Sequence, residues 1–155
     1  MTNHPRTVAF GLGILLAIPS ARAAEEKLSR KDLPAAVRET ADDQSRDAIV
    51  RFYSKDNENG KLEYEVAMTV NGHTRDVAIA PDGRLLEIEE EVSFNALPAS
   101  IRTALQTRAN GAKITKVESI TKHNVLVAYE AQILKAGKHA EIQVGPQGNQ
   151  LAHEE

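Results

Sequence analysis

From Lys61 to Val70 apolar and polar positions alternate. Leu62, Tyr64, Val66, Met68 and Val70 share one face, and Glu63, Glu65, Ala67 and Thr69 take the other. A period of two predicts a strand with one buried side. Asn71-Gly72 follows, a pair suited to a two-residue hairpin turn because both of its central positions need positive φ. The chain then returns as a strand from Arg75 to Ala80, with Val77 and Ile79 inward. Pro81-Asp82-Gly83 predicts another turn, and Arg84 to Val92 another strand, with Leu86 and Ile88 inward. Upstream the spacing changes: Leu33, Val37 and Ala41 recur at helical intervals. Pro34 falls in the first turn, where its missing N–H costs nothing, and Asp32 is the expected N-cap. Between helix and hairpin, Ala48 to Ser54 alternates less regularly, as an edge strand or a bulged one does.

The whole order then recurs. Leu33-Pro34-Ala35-Ala36-Val37-Arg38 returns as Leu97-Pro98-Ala99-Ser100-Ile101-Arg102, shifted by 64. Further along the shift is 65: Tyr64-Glu65 returns as Tyr129-Glu130, Gly72 as Gly137, Pro81 as Pro146, Gly83 as Gly148, Leu86 as Leu151 and Glu89-Glu90 as Glu154-Glu155. Leu97, Ile101, Ala104 and Leu105 give a second helix, with Asn95 as its expected N-cap and Asn110-Gly111 as its stop. Lys113 to Thr121 repeats the irregular strand, and Val125, Val127, Tyr129, Ala131 and Ile133 form the second apolar face. Ala136-Gly137 turns the chain into a strand packing Ile142 and Val144, and Pro146-Gln147-Gly148 turns it again. The pattern predicts an α+β fold made of two tandem α-β-β-β-β repeats, residues 24–92 and 93–155. They are expected to share one antiparallel sheet of up to eight strands, with both helices on one face and the other face open. Each repeat alone is small for a stable core, and pairing remedies that.

The first 23 residues follow a different logic. Arg6 precedes an apolar run from Val8 to Ile18, then come Pro19-Ser20 and Ala21-Arg22-Ala23. This is the layout of a secretory signal peptide, with cleavage expected after Ala23. Eleven apolar residues fall short of the ~20 that a spanning helix needs. The expected destination is the periplasm or the exterior, with no stable membrane insertion after cleavage. Removing Arg6 and Arg22 leaves 17 basic and 22 acidic residues, a net charge of −5. That charge favours solubility and disfavours nucleic acid.

Composition narrows the chemistry. No cysteine is present, which excludes disulfides, thiolate metal sites and cysteine catalysis. His73 and His139 follow equivalent glycines but lack a close ligand partner in sequence, so they read as solvated turn histidines, with a weak metal site as the alternative. His123 and His153 add no ligand spacing. Asp56-Asn57-Glu58-Asn59-Gly60 lacks the acid and the closing glutamate of a calcium loop and reads as a polar hairpin loop. Glu87, Glu89, Glu90 and Glu91 read as a solvated strand end. No nucleophile elbow or phosphate-binding loop is present. No cofactor, metal or catalytic residue is therefore expected.

Leu-Pro-x-x-Val/Ile-Arg, then Tyr-Glu, a glycine turn and Pro-x-Gly before a closing strand, occurring twice, resembles the PepSY-like family, described as β-lactamase-inhibitor-like. The resemblance covers nearly the whole chain after residue 23. It implies a secreted bacterial protein of tandem helix-then-sheet repeats, and it brings an inhibitory role toward an exported peptidase or other enzyme into view.

The expected function is non-catalytic: a periplasmic protein that meets a protein or peptide partner through the open sheet face. Alternation assigns Glu65, Thr69, Ala78, Leu126, Ala128, Gln132, Leu134 and Gln143 to that face. Leu126 and Leu134 motivate the partner, because exposed apolar side chains on a sheet mark contacts. A peptidase inhibitor, and a small-molecule or metal-handling protein, are the alternatives.

Overall fold

The computed structural model describes residues 26–58 and 60–155. The signal segment and its cleavage site lie outside them. Eight strands form one sheet: β1 (Glu26–Leu28), β2 (Ile49–Glu58), β3 (Lys61–Val70), β4 (His73–Ile79), β5 (Leu85–Glu91), β6 (Lys113–Lys122), β7 (Val125–Lys135) and β8 (Lys138–Val144). Their order in the sheet is their order in the chain, and every pair is antiparallel. Helix α1 (Ala35–Gln44) lies between β1 and β2, and α2 (Ala99–Ala109) between β5 and β6. The fold is α+β, and among the described residues no helix is long and apolar enough to cross a membrane.

The strand count departs from the expected pattern in two places. Four strands follow α1 but only three follow α2. The segment after Gly148 forms no strand; its end turns onto the sheet instead, where the Glu155 N–H donates to Gln143 Oε1 at 2.8 Å. The eighth strand is β1, three residues before α1 that carry too little pattern to announce themselves.

Local chemistry explains most boundaries. Pro34 and Pro98 occupy the N-cap positions of the helices, not the first turns within them. Asp32 is not the cap of α1. Its carboxylate accepts from the Ser29 N–H and hydroxyl in a short 3₁₀ turn that leads into the helix. Asn95 lies in the matching turn, and its carbonyl accepts from Arg102. Asn110 ends α2 in the left-handed conformation.

The irregular strands are bulged and interior. The β2–β3 register slips at Arg51, and the β6–β7 register slips at Thr115, 64 positions later. Tyr53 faces Val66 as Val117 faces Ala131, and Tyr64 faces Ile79 as Tyr129 faces Val144. The turns dock alike. A Cβ on Gly83 would meet the Ala36 carbonyl oxygen at 2.8 Å, and one on Gly148 would meet that of Ser100 at 3.0 Å. Each turn lies against the first turn of a helix too closely for any side chain.

The apolar interior is divided. Leu33, just before α1, and Val37 and Ala41 within it cover Tyr64, Val66, Met68, Val77 and Ile79. Leu97, Ile101 and Leu105 cover Val117, Ala131 and Val144. Ile88 packs with the first cluster and Val92 with the second. These alternate positions of one chain segment put both helices on the same side of the sheet. Each buried Val, Leu or Ile contributes about 1.5–3 kcal/mol. Leu62 and Val125, expected to point inward, are exposed; the bulge at Val127 pairs Val125 with Lys122, the partner of Glu87, and turns it to the open side.

Candidate functional site

Because side chains alternate across a strand, the residues between these core positions build the face opposite the helices. Seven of the eight candidates lie on it; Leu126, expected there by alternation, does not, because a bulge at Val127 pairs it with Thr121, the partner of core Ile88, and so turns it to the helix side. Glu65 pairs across strands with Ala78, Thr69 with Thr74, Ala128 with Ile120, Leu126 with Thr121, Gln132 with Lys116, Leu134 with Lys113 and Gln143 with Glu130. Ala128 and Gln143 are buried; the other six are half-buried. Gln143 donates to Glu130 Oε2 at 2.8 Å, beneath the end of the chain.

At the centre of this face the strands bring together carboxylates that lie far apart in sequence. Oxygens of Asp76 on β4, Glu89 on β5 and Glu118 on β6 all lie within 4.8 Å of one another. Glu118 is 4% exposed. Cations stand around the group: Arg51 reaches Asp76 at 2.7 Å, Lys116 reaches Glu118 at 2.6 Å, and Lys122 lies 3.6 Å from both Glu87 and Glu155. Among the described residues none of them pairs with Glu89. Burial pushes the Glu89 carboxyl up to about 8, reinforced by Glu87, Glu130, Glu118 and Asp76. It is therefore mostly protonated at neutral pH. Burial also raises Glu130, against the Gln143 hydrogen bond that lowers it. Carboxylates this close do not all ionise together.

The acidic run at the end of β5 is thus not a uniformly solvated strand end. Glu90 is exposed, but Glu87, Glu89 and Glu91 turn toward the open face and are half-buried. The signal that would have found the cluster is parity: Asp76 and Glu89 are register partners, and Glu118 is one residue pair away. Glu91 accepts from the Thr74 N–H at 3.0 Å and from its hydroxyl at 3.2 Å, both at Oε2. The Thr74 N–H, then the Thr74 hydroxyl and His73, hold Glu91 below the ordinary carboxylate range.

The histidines stay apart from this group. His73 Nδ1 lies 3.6 Å from Glu91 Oε1, and His139 is exposed on β8 opposite Leu134. Among the described residues the set with metal-ligand spacing contains carboxylates alone.

No family model matches the sequence, and no curated protein matches it. Solved structures do. A DUF2874 family protein from Bacteroides uniformis is similar at TM-score 0.63 and 14% identity, covering 77% of this chain and 86% of its own. A Bacteroides eggerthii protein, provisionally described as periplasmic, is similar at TM-score 0.62 and 15% identity, covering 76% and 84%. A BLIP-like protein from Bacteroides fragilis is similar at TM-score 0.55 and 19% identity, covering 77% and 83%. The chain shares its fold with these BLIP-like and DUF2874 proteins.

Proposed function

We propose that this is an exported, periplasmic, non-catalytic protein that docks a protein or peptide partner on the uncovered face of its sheet. One observation carries the reading: two helices cover one side of an eight-stranded sheet, and the other side bears half-buried Leu134, Thr69 and Gln132 together with a carboxylate centre. A broad, rigid face of mixed polarity suits a macromolecular contact. Neighbours described as periplasmic or BLIP-like agree with the location and the kind of role. Inhibition of an exported enzyme is the narrower form of this reading.

The architecture is read as two tandem copies of one PepSY-like unit. Matching bulges at Arg51 and Thr115, matching registers, and matching helix-docked glycines at Gly83 and Gly148 support it. A frame of strand, helix and three strands fits this reading better than helix and four strands, with β1 as the counterpart of β5. Glu26 faces Lys55 as Glu90 faces Ser119, a shift of 64 on both sides.

The test places a photo-crosslinking side chain at Leu134 in the exported protein, and at Glu39 on the exposed side of α1 as a control. A discrete partner adduct is expected from position 134 in the periplasmic fraction, and Gln132→Arg, on the same face, is expected to abolish it. Adducts appearing equally from position 39, or surviving Gln132→Arg, would overturn the reading.

A further inference from the structure

The sheet contains a gap. Strand β5 ends at Glu91, which faces Glu118, so the first half of β6, Lys113 to Val117, has no strand beside it on that side. The Val117 carbonyl still accepts from the Val92 N–H at 2.9 Å, and then the chain bends away. On the opposite side of the gap the β4–β5 ladder stops at Arg75 and Glu90, leaving His73 and Thr74 beyond it. The Thr74 N–H is satisfied by the Glu91 side chain in place of a strand. A cleft of about 760 Å³ opens here, lined by Glu91, Phe94, Gln106, Ile114, Thr115 and Lys116 among others. This is the size of a small-ligand site, and about 17 Å of strand borders it.

The matching place in the first half is spanned by an ion pair. Arg30 stands 64 positions before Phe94, and Asp42 stands 64 before Gln106. Arg30 holds Asp42 through two hydrogen bonds, one of them from Nε at 2.7 Å. Phe94 and Gln106 make no such bridge, so the second half is left open.

We propose that this cleft binds a short peptide in extended conformation, paired antiparallel to the free edge of β6 as a continuation of β5, with its amino terminus against the Glu91 carboxylate. A strand edge presents N–H and C=O groups at a spacing that another extended main chain matches. A continuation of β5 runs in the direction of β5 and so begins beside Glu91. Glu91 Oε2 is occupied by Thr74, whereas Oε1 has His73 only at 3.6 Å, beyond hydrogen-bonding distance, and keeps its capacity to accept. Alternate peptide side chains would lie over Phe94 and Val117. The site is separate from the centre of the open face, and the proposal does not rest on a partner there.

The test titrates ¹⁵N-labelled protein with Val-Thr-Val-Thr-Val carrying a free amino terminus and an amidated carboxyl terminus. Amide shifts are expected at His73, Phe94, Thr115 and Lys116. Acetylating the amino terminus is expected to weaken binding on the order of tenfold, the loss of one charge-assisted contact. N-methylation of every peptide amide is expected to abolish it. The double variant Phe94→Arg with Gln106→Asp, which copies the bridge of the first half, is expected to keep its circular dichroism spectrum and lose the shifts. Absence of shifts at millimolar peptide, shifts confined to β1 or β8, or equal binding of the N-methylated peptide would each overturn the proposal. These outcomes are read on the unaltered protein, whatever the double variant does.

Discussion

The two halves of the sheet share a frame and differ in what fills it. Val37 of α1 corresponds to Ile101 of α2, Tyr53 to Val117, and the Asn71-Gly72 turn to Ala136-Gly137. The positions held in common set geometry: bulges, docked turns and register. The positions that differ set surface and cavity, as at Arg30–Asp42 against Phe94 and Gln106. The backbones also differ at one point: β6–β7 carries a second bulge, at Val127, that β2–β3 lacks.

Substitutions sharpen this contrast. The largest effect is expected from Ile101→Ala, which empties the centre of the α2 cluster and costs about 2–5 kcal/mol by urea denaturation. Val37→Ala, the matching change, should cost less, because each methylene contributes about 0.8 kcal/mol. Equal losses would mean that the two clusters are not packed alike.

The junction between the halves carries the pH dependence. Folding raises Glu89 from an ordinary value near 4.5 to about 8, so between these limits the native state holds a proton that the unfolded state releases. Its effect on stability is to lower it as pH rises from 4.5 to 8, with the full loss present above 8. Glu91 and Asp42 act oppositely: their lowered values add stability at neutral pH that is lost as pH falls through the acid range. Maximum stability is thus expected near pH 5. Glu89→Gln should flatten the alkaline limb and raise the thermal midpoint at pH 8.5 by about 5–10 °C. An unchanged pH profile would remove Glu89 as its source.

The smallest effect concerns the hairpins. Ala136 adopts φ 50°, a conformation Asn71 tolerates better at the corresponding turn. Ala136→Asn should stabilise the β7–β8 hairpin by about 0.5–1 kcal/mol, read as a higher denaturation midpoint. The reverse change, Asn71→Ala, should cost a similar amount.

Much of the frame was legible in the sequence, because alternation and turn residues are local signals. The Lys61–Val70 strand, the Asn71-Gly72 turn and the end of α2 at Asn110-Gly111 follow from neighbours alone. Strand β1 was not, since three residues carry no period. Nor was the strand missing after Gly148, where Pro146-Gln147-Gly148 gives the same turn signal as its counterpart but the following segment packs on the sheet. Parity places seven of the eight open-face residues; it fails at Leu126, where a bulge that the sequence does not mark shifts the alternation by one. The carboxylate centre is not legible in the sequence, because Asp76, Glu89 and Glu118 come from three strands and only the register of their pairing makes them neighbours. The cleft depends on where β5 stops, a boundary that composition does not mark.

The sheet order that repeats the chain order has a kinetic consequence. Each strand finds its partner in the segment just completed, so no distant loop has to close before a ladder can grow. A polypeptide that emerges amino terminus first is able to add strands in sequence, without waiting for its last residues to arrive.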